Sequence, residues 1–61
     1  MYNVGKSVII DLIIKAYCEI NNFDYENLST DGYSNMYDMC YKLDDNILIT
    51  RLGELYDILN K

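Results

Sequence analysis

The stretch Asn3-Val4-Gly5-Lys6-Ser7 ends as a phosphate-binding loop ends. Such a loop reads G-x-x-x-x-G-K-[ST] between a buried strand and a helix, so that backbone N–H groups and the lysine wrap the phosphates. Only Met1 to Val4 precede Gly5, which leaves room for neither the first glycine nor the strand. No later apolar strand ends in the aspartate that would complete a nucleotide site. The expectation is a plain helix start, with Gly5 relaxing the chain and Ser7 as N-cap.

Other groupings that could do chemistry are equally incomplete. Histidine is absent, which removes the commonest acid–base residue and any Ser–His or Cys–His nucleophile pair. Cys18 and Cys40 alone cannot complete a tetrahedral zinc site. The run Asp24-Tyr25-Glu26-Asn27-Leu28-Ser29 begins like a calcium loop, but Leu28 and Ser29 stand where a ligand and the turn glycine belong. Asp44 and Asp45 are adjacent and read as a turn rather than as a paired acid and base. The expectation is a protein without catalysis, cofactor or metal.

Sixty-one residues make one small domain, residues 1–61. A chain this short buries only about 60% of its unfolded surface, and such chains recruit disulfides, a metal or a second copy of themselves. No signal peptide precedes the two cysteines, so a cytoplasmic setting with free thiols is expected, and a Cys18–Cys40 bridge is the lesser alternative. Oligomerisation is the staple that remains. The formal charge of −5 argues against direct binding to nucleic acid or to an anionic membrane. Phe, Tyr, Met, Ile, Asn and Lys, the residues of A/T-rich codons, make up about half of the chain. That composition points to an AT-rich genome such as those of low-GC bacteria, their phages and their plasmids.

The elements follow from periodicity. Between Ser7 and Asn22 the polar positions Asp11, Lys15, Glu19 and Asn22 fall at steps of four, four and three, which puts them in one stripe of a helix. The rest of the circumference is apolar, more than about forty further residues are expected to cover. A homodimer is therefore expected, with Ile9, Ile10, Ile13, Ile14 and Tyr17 at its seam. Residues 21–35 read as a connection with a helical turn near Asp24–Leu28, pinned by Phe23 and Leu28, and with Ser29-Thr30-Asp31-Gly32 as loop.

Residues 36–52 support two readings. As a β-hairpin turning at Asp45-Asn46, they place Met39, Tyr41, Leu43, Leu48, Thr50 and Leu52 on one face in matching register. As helices, they align Met36, Met39, Cys40 and Leu43, followed by Leu48, Leu52, Leu55 and Leu59. The hairpin is preferred, followed by a short helix over 54–61. The expected class is α+β, with an all-α three-helix bundle as the alternative.

Seven tyrosines are a high density, and Tyr25, Tyr33, Tyr37 and Tyr41 fall within seventeen positions. Asp24, Glu26, Asp31 and Asp38 share that window. Tyrosine gives contact area at low entropic cost, and carboxylates interleaved with it suit a basic partner. Asp24, Tyr25, Glu26, Asp31, Tyr33 and Asp38 are accordingly the expected partner-binding residues; in the competing reading Tyr37 and Tyr41 fill the core and the acids keep the surface soluble. The expected role is an acidic protein-binding module. Its sharper form is a phage or mobile-element inhibitor that covers the nucleic-acid-binding surface of a host enzyme in the host cytoplasm. A self-associating assembly subunit is the alternative.

Overall fold

The computed structural model describes residues 4–61. Three helices, α1 (Val4–Ile20), α2 (Thr30–Tyr41) and α3 (Asp45–Leu59), follow one another, with a single 3-10 turn at Tyr25–Asn27 between the first two. There is no strand among the described residues, so the α+β expectation is overturned and the three-helix alternative is the fold.

The hairpin fails at its turn. Asp44 has extended backbone and its carboxylate accepts a hydrogen bond from the Asn46 N–H, which makes it the N-cap of α3. Asp45 then lies in the first turn, where the helix dipole favours a negative charge. The residues read as a two-residue β-turn are thus a helix start, and α3 runs on through the closing helix expected at 54–61. Ser29 does the same for α2, its hydroxyl accepting from the Gly32 N–H, so the presumed loop Ser29–Gly32 is a cap and first turn.

At the other end of α1, Asn22 takes a left-handed φ of 57°. The Phe23 N–H donates to the Cys18 carbonyl at 2.8 Å and the Asn22 N–H to the Glu19 carbonyl at 3.1 Å. This pair of bonds is the Schellman ending, with asparagine in the glycine role. Backbone bonding therefore fixes the chain where Phe23 was expected to pin it; the Phe23 side chain is exposed, whereas Leu28 packs against the core.

The start of α1 also differs from expectation. The helix already includes Val4, and Ser7 lies inside it, bonded through its hydroxyl to the Tyr37 hydroxyl at 2.8 Å rather than capping. Asn3 of the loop-like stretch lies outside the described residues. Lys6 holds no phosphate loop together: its Nζ donates to the Leu43 carbonyl at 3.0 Å and lies 3.6 Å from an Asp45 carboxylate oxygen. It thereby ties α1 to the junction between α2 and α3.

The core is small and built mostly from α1. Ile10, Ile13, Ile14, Ala16 and Cys18 of α1 are buried with Leu48 of α3, and Ile10, Ile14 and Leu48 are wholly inaccessible. α3 packs along one flank of α1 and α2 along another, while α2 and α3 scarcely touch. The radius of gyration is 11.6 Å and the thinnest dimension 16 Å; a compact chain of this length has a radius of about 10.5 Å. The two later helices are splayed on α1, and a cleft lies between them.

Gly53 occupies the middle of α3, and a Cβ built on it meets nothing within 4 Å. Gly53→Ala is therefore expected to stabilise the protein by ~0.5–1 kcal/mol, since alanine loses less backbone entropy in a helix and crowds nothing. Thermal melting checks this; a lower midpoint in the variant would mean that the α3 backbone is not helical there.

Candidate functional site

Two features stand out: a tyrosine row on the polar side of α1, and the cleft between α2 and α3.

The polar stripe of α1 does not face water alone. Tyr33, Tyr37 and Tyr41 recur every four residues along α2, and their rings stack with centroids 6.2 and 6.0 Å apart. Tyr25, from the 3-10 turn, meets Tyr33 edge-on at 6.2 Å. The row lies over Ser7, Asp11 and Lys15, which share one side of α1 by their four-residue spacing. Asp11 accepts from the Tyr25 hydroxyl at 2.6 Å and from the Tyr33 hydroxyl at 2.9 Å, and pairs with Lys15 at 3.1 Å. A cation caps each end of the row: Lys15 Nζ is 5.3 Å from the centre of the Tyr25 ring, and Lys6 Nζ is 4.8 Å from that of Tyr41.

These contacts explain the titration of the cluster. The Tyr25 hydroxyl bond, with help from Tyr33 and Lys15, holds the Asp11 carboxyl below the ordinary carboxylate value, although burial opposes this. The same bond pushes the Tyr25 phenol well up, and burial followed by the Asp11 bond raises Tyr33. The tyrosines hold α2 and the 3-10 turn to α1, a task that no wholly buried side chain of α2 performs.

The residues expected to bind a partner therefore divide. Tyr25 and Tyr33 are half-buried with their hydroxyls engaged on Asp11. Asp24, Glu26, Asp31 and Asp38 are exposed. Asp24 also caps the 3-10 turn, accepting from the Glu26 N–H and from the Asn27 side-chain amide. Among the described residues the ion pairs are Lys6–Asp45 and Lys15–Asp11, so none of these four carboxylates has a cation.

The residues expected at a dimer seam divide as well. Ile10, Ile13 and Ile14 are buried within one chain by the helices that flank α1, and Ile9 is half-buried; only Tyr17 is exposed. α2 and α3 bury these isoleucines within one chain, which about forty further residues were not expected to do.

The cleft between α2 and α3 is the feature that sequence reasoning missed. It is a groove of about 470 Å³ with Ile13 and Tyr17 of α1 along its floor. Met36, Met39, Cys40 and Leu43 form one wall, and Leu48, Arg51 and Leu55 the other. Met39 is 70% exposed on its lip. Cys40 and Cys18 are free thiols; burial raises the Cys40 thiol and the nearby Arg51 charge partly offsets this, so Cys40 is not an activated nucleophile. The apolar faces that line it were visible once 36–52 was read as helices, but the gap between them was not.

Among the described residues no group of three or more His, Cys, Asp or Glu could hold a metal ion, and no helix is long and apolar enough to cross a membrane. Comparison with protein-family models, with curated proteins and with solved structures found no match.

Proposed function

We propose that the protein is a non-catalytic, acidic protein-binding module that engages a basic partner surface through Asp24, Glu26, Asp31 and Asp38. The observation that carries this reading is that all four carboxylates are exposed without a cation, on a segment that Tyr25 and Tyr33 fix to Asp11. Exposed, unpaired carboxylates on an anchored segment gain by meeting Lys and Arg, and suit a surface that otherwise holds phosphates. In its specific form the module is a phage or mobile-element inhibitor that acts in the host cytoplasm and occludes the nucleic-acid-binding surface of a host enzyme.

Replacing the four acids by their amides removes four of the ten acidic charges without changing side-chain size. Capture from nuclease-treated host lysate is expected to retain a nucleic-acid-handling protein at low salt and release it at high salt. The amide variant is expected to bind that protein at least about tenfold more weakly. Equal retention of the parent and the variant would remove the electrostatic basis of the reading.

Self-association is a second reading. The apolar groove and the exposed Ile47 and Ile58 of α3 favour it, because open apolar surface of this kind marks interfaces.

A further inference from the structure

α3 carries a second stripe beside the one that faces α1. Ile47, Arg51, Glu54 and Ile58 follow one another at steps of four, three and four, the spacing of successive seam positions in a coiled coil. Ile47 is 47% and Ile58 51% exposed, and Arg51 and Glu54 are exposed too. Arg51 also belongs to the wall of the groove, so the stripe and the groove form one continuous surface. Neither Arg51 nor Glu54 has an ion-pair partner among the described residues.

The stripe reads the same in both directions, apolar then charged then charged then apolar, with opposite charges at its centre. We infer that a second copy of this chain docks along the groove side of α3, the two α3 helices running antiparallel about a two-fold axis. Arg51 then faces the partner's Glu54, Glu54 faces the partner's Arg51, and Ile47 and Ile58 meet the partner's Ile58 and Ile47. The same patch serves both subunits, as a two-fold interface requires. The central charges set the direction, because a parallel pairing would place Arg51 on the partner's Arg51 and Glu54 on the partner's Glu54.

A second copy is also the occupant that fits the groove. An apolar trough with one unpaired guanidinium calls for an apolar helix stripe that presents a carboxylate, and the Ile47–Ile58 stripe of α3 presents Glu54. A standard interface removes ~800 Å² from each partner, about a sixth of the 4707 Å² of this chain. A stripe of four side chains is narrower than that, so the partner's α3 must also cover Leu55 and the Met39 lip. The modest area makes the dimer concentration-dependent. This inference rests on the self-association reading and is independent of the acidic face.

Sedimentation of the full chain across a concentration series, with helical content followed in parallel, tests it. The parent is expected to move from 7.2 kDa towards twice that mass as concentration rises. Arg51→Glu and Glu54→Arg are each expected to weaken the dimer at least about tenfold while helical content stays at the parent level, because each creates like-charge contacts twice over. The double exchange R51E/E54R is expected to restore the dimer to within about threefold of the parent. A parent that stays monomeric at every concentration overturns both self-association and this seam. A dimer that both single reversals leave intact keeps self-association and overturns the seam, and single reversals that the double exchange fails to rescue overturn the charge pairing.

Discussion

Leu48→Ala is expected to destabilise the protein by about 3 kcal/mol, a large part of its total stability. Leu48 is the one side chain of α3 with no accessible surface, and it sits against Ile10, Ile13 and Ile14. Truncating a buried leucine costs ~2–5 kcal/mol, because the lost methyl groups leave a cavity that only partly collapses. At roughly 0.05–0.15 kcal/mol per residue, the whole fold is stable by only about 3–9 kcal/mol. One cavity therefore consumes a third or more of the total. Ile49→Ala, one position along and more than half exposed, is the control and is expected to change stability by less than about 0.5 kcal/mol. Urea unfolding separates the two: a Leu48→Ala midpoint that matches the Ile49→Ala midpoint would mean that α3 does not dock through Leu48.

That contrast depends on α3 being a helix, and here the sequence admitted two patterns. From Met36 to Leu52 the apolar residues satisfy both a period of two and a period of 3.6, and register agreement alone tips the balance to strands. What decides it physically lies at residue 44. Asp44 and Asp45 supply a cap oxygen and a favourable charge at one helix start, while an Asp-Asn hairpin turn must place both residues at positive φ. The apolar positions of α3 then continue unbroken through Leu55 and Leu59, which a strand ending at Leu52 leaves to a separate element. The helix N-terminal signal was present in the sequence and was read as a turn signal, because the same residue types serve both.

α1 was legible as an element but not at its ends: the stripe of Asp11, Lys15, Glu19 and Asn22 marked a helix, which begins at Val4 rather than at a Ser7 cap and closes at Ile20. Its environment was not legible. Periodicity shows where Asp11 and Lys15 lie on the helix but not what lies over them, and a polar stripe ordinarily means water. Tyrosine breaks that inference, because its ring covers apolar surface while its hydroxyl bonds the carboxylate beneath. Tyr25 and Tyr33, expected at a partner surface, thus bond and pack within the chain. Asp24, Glu26, Asp31 and Asp38 are exposed, as both sequence readings of them require. The α2–α3 cleft was invisible for a different reason: it arises from the angle at which two helices sit on a third, and helix spacing alone does not fix that angle.

Asp11→Ala is expected to be the most damaging change outside the buried core, at about 2–3 kcal/mol. The carboxylate accepts two phenol hydrogen bonds and a lysine, and bonds to a charged acceptor contribute ~1.5–3 kcal/mol each before partial replacement by water. Loss of the acceptor leaves the half-buried Tyr25 and Tyr33 hydroxyls without their protein partner, and α2 has no wholly buried side chain to hold it in their place. Hydrogen exchange is therefore expected to accelerate in α2 before α3. Asp11→Asn keeps an acceptor oxygen and is expected to cost about half as much. The pH profile gives an independent check. Asp11 titrates below its ordinary 3.8 in the folded protein, so its contribution is complete above that value and is lost as pH falls through the lower folded value. Tyr25 and Tyr33 titrate above their ordinary 10.0, so their contribution is complete below pH 10 and is lost as pH rises beyond it. Parent stability in urea is therefore expected to fall at both extremes, and Asp11→Ala to flatten both limbs together. Should the variant keep the full alkaline limb, the phenols would not be bound to Asp11, and α2 would be held to α1 by the Ser7–Tyr37 bond and apolar packing instead.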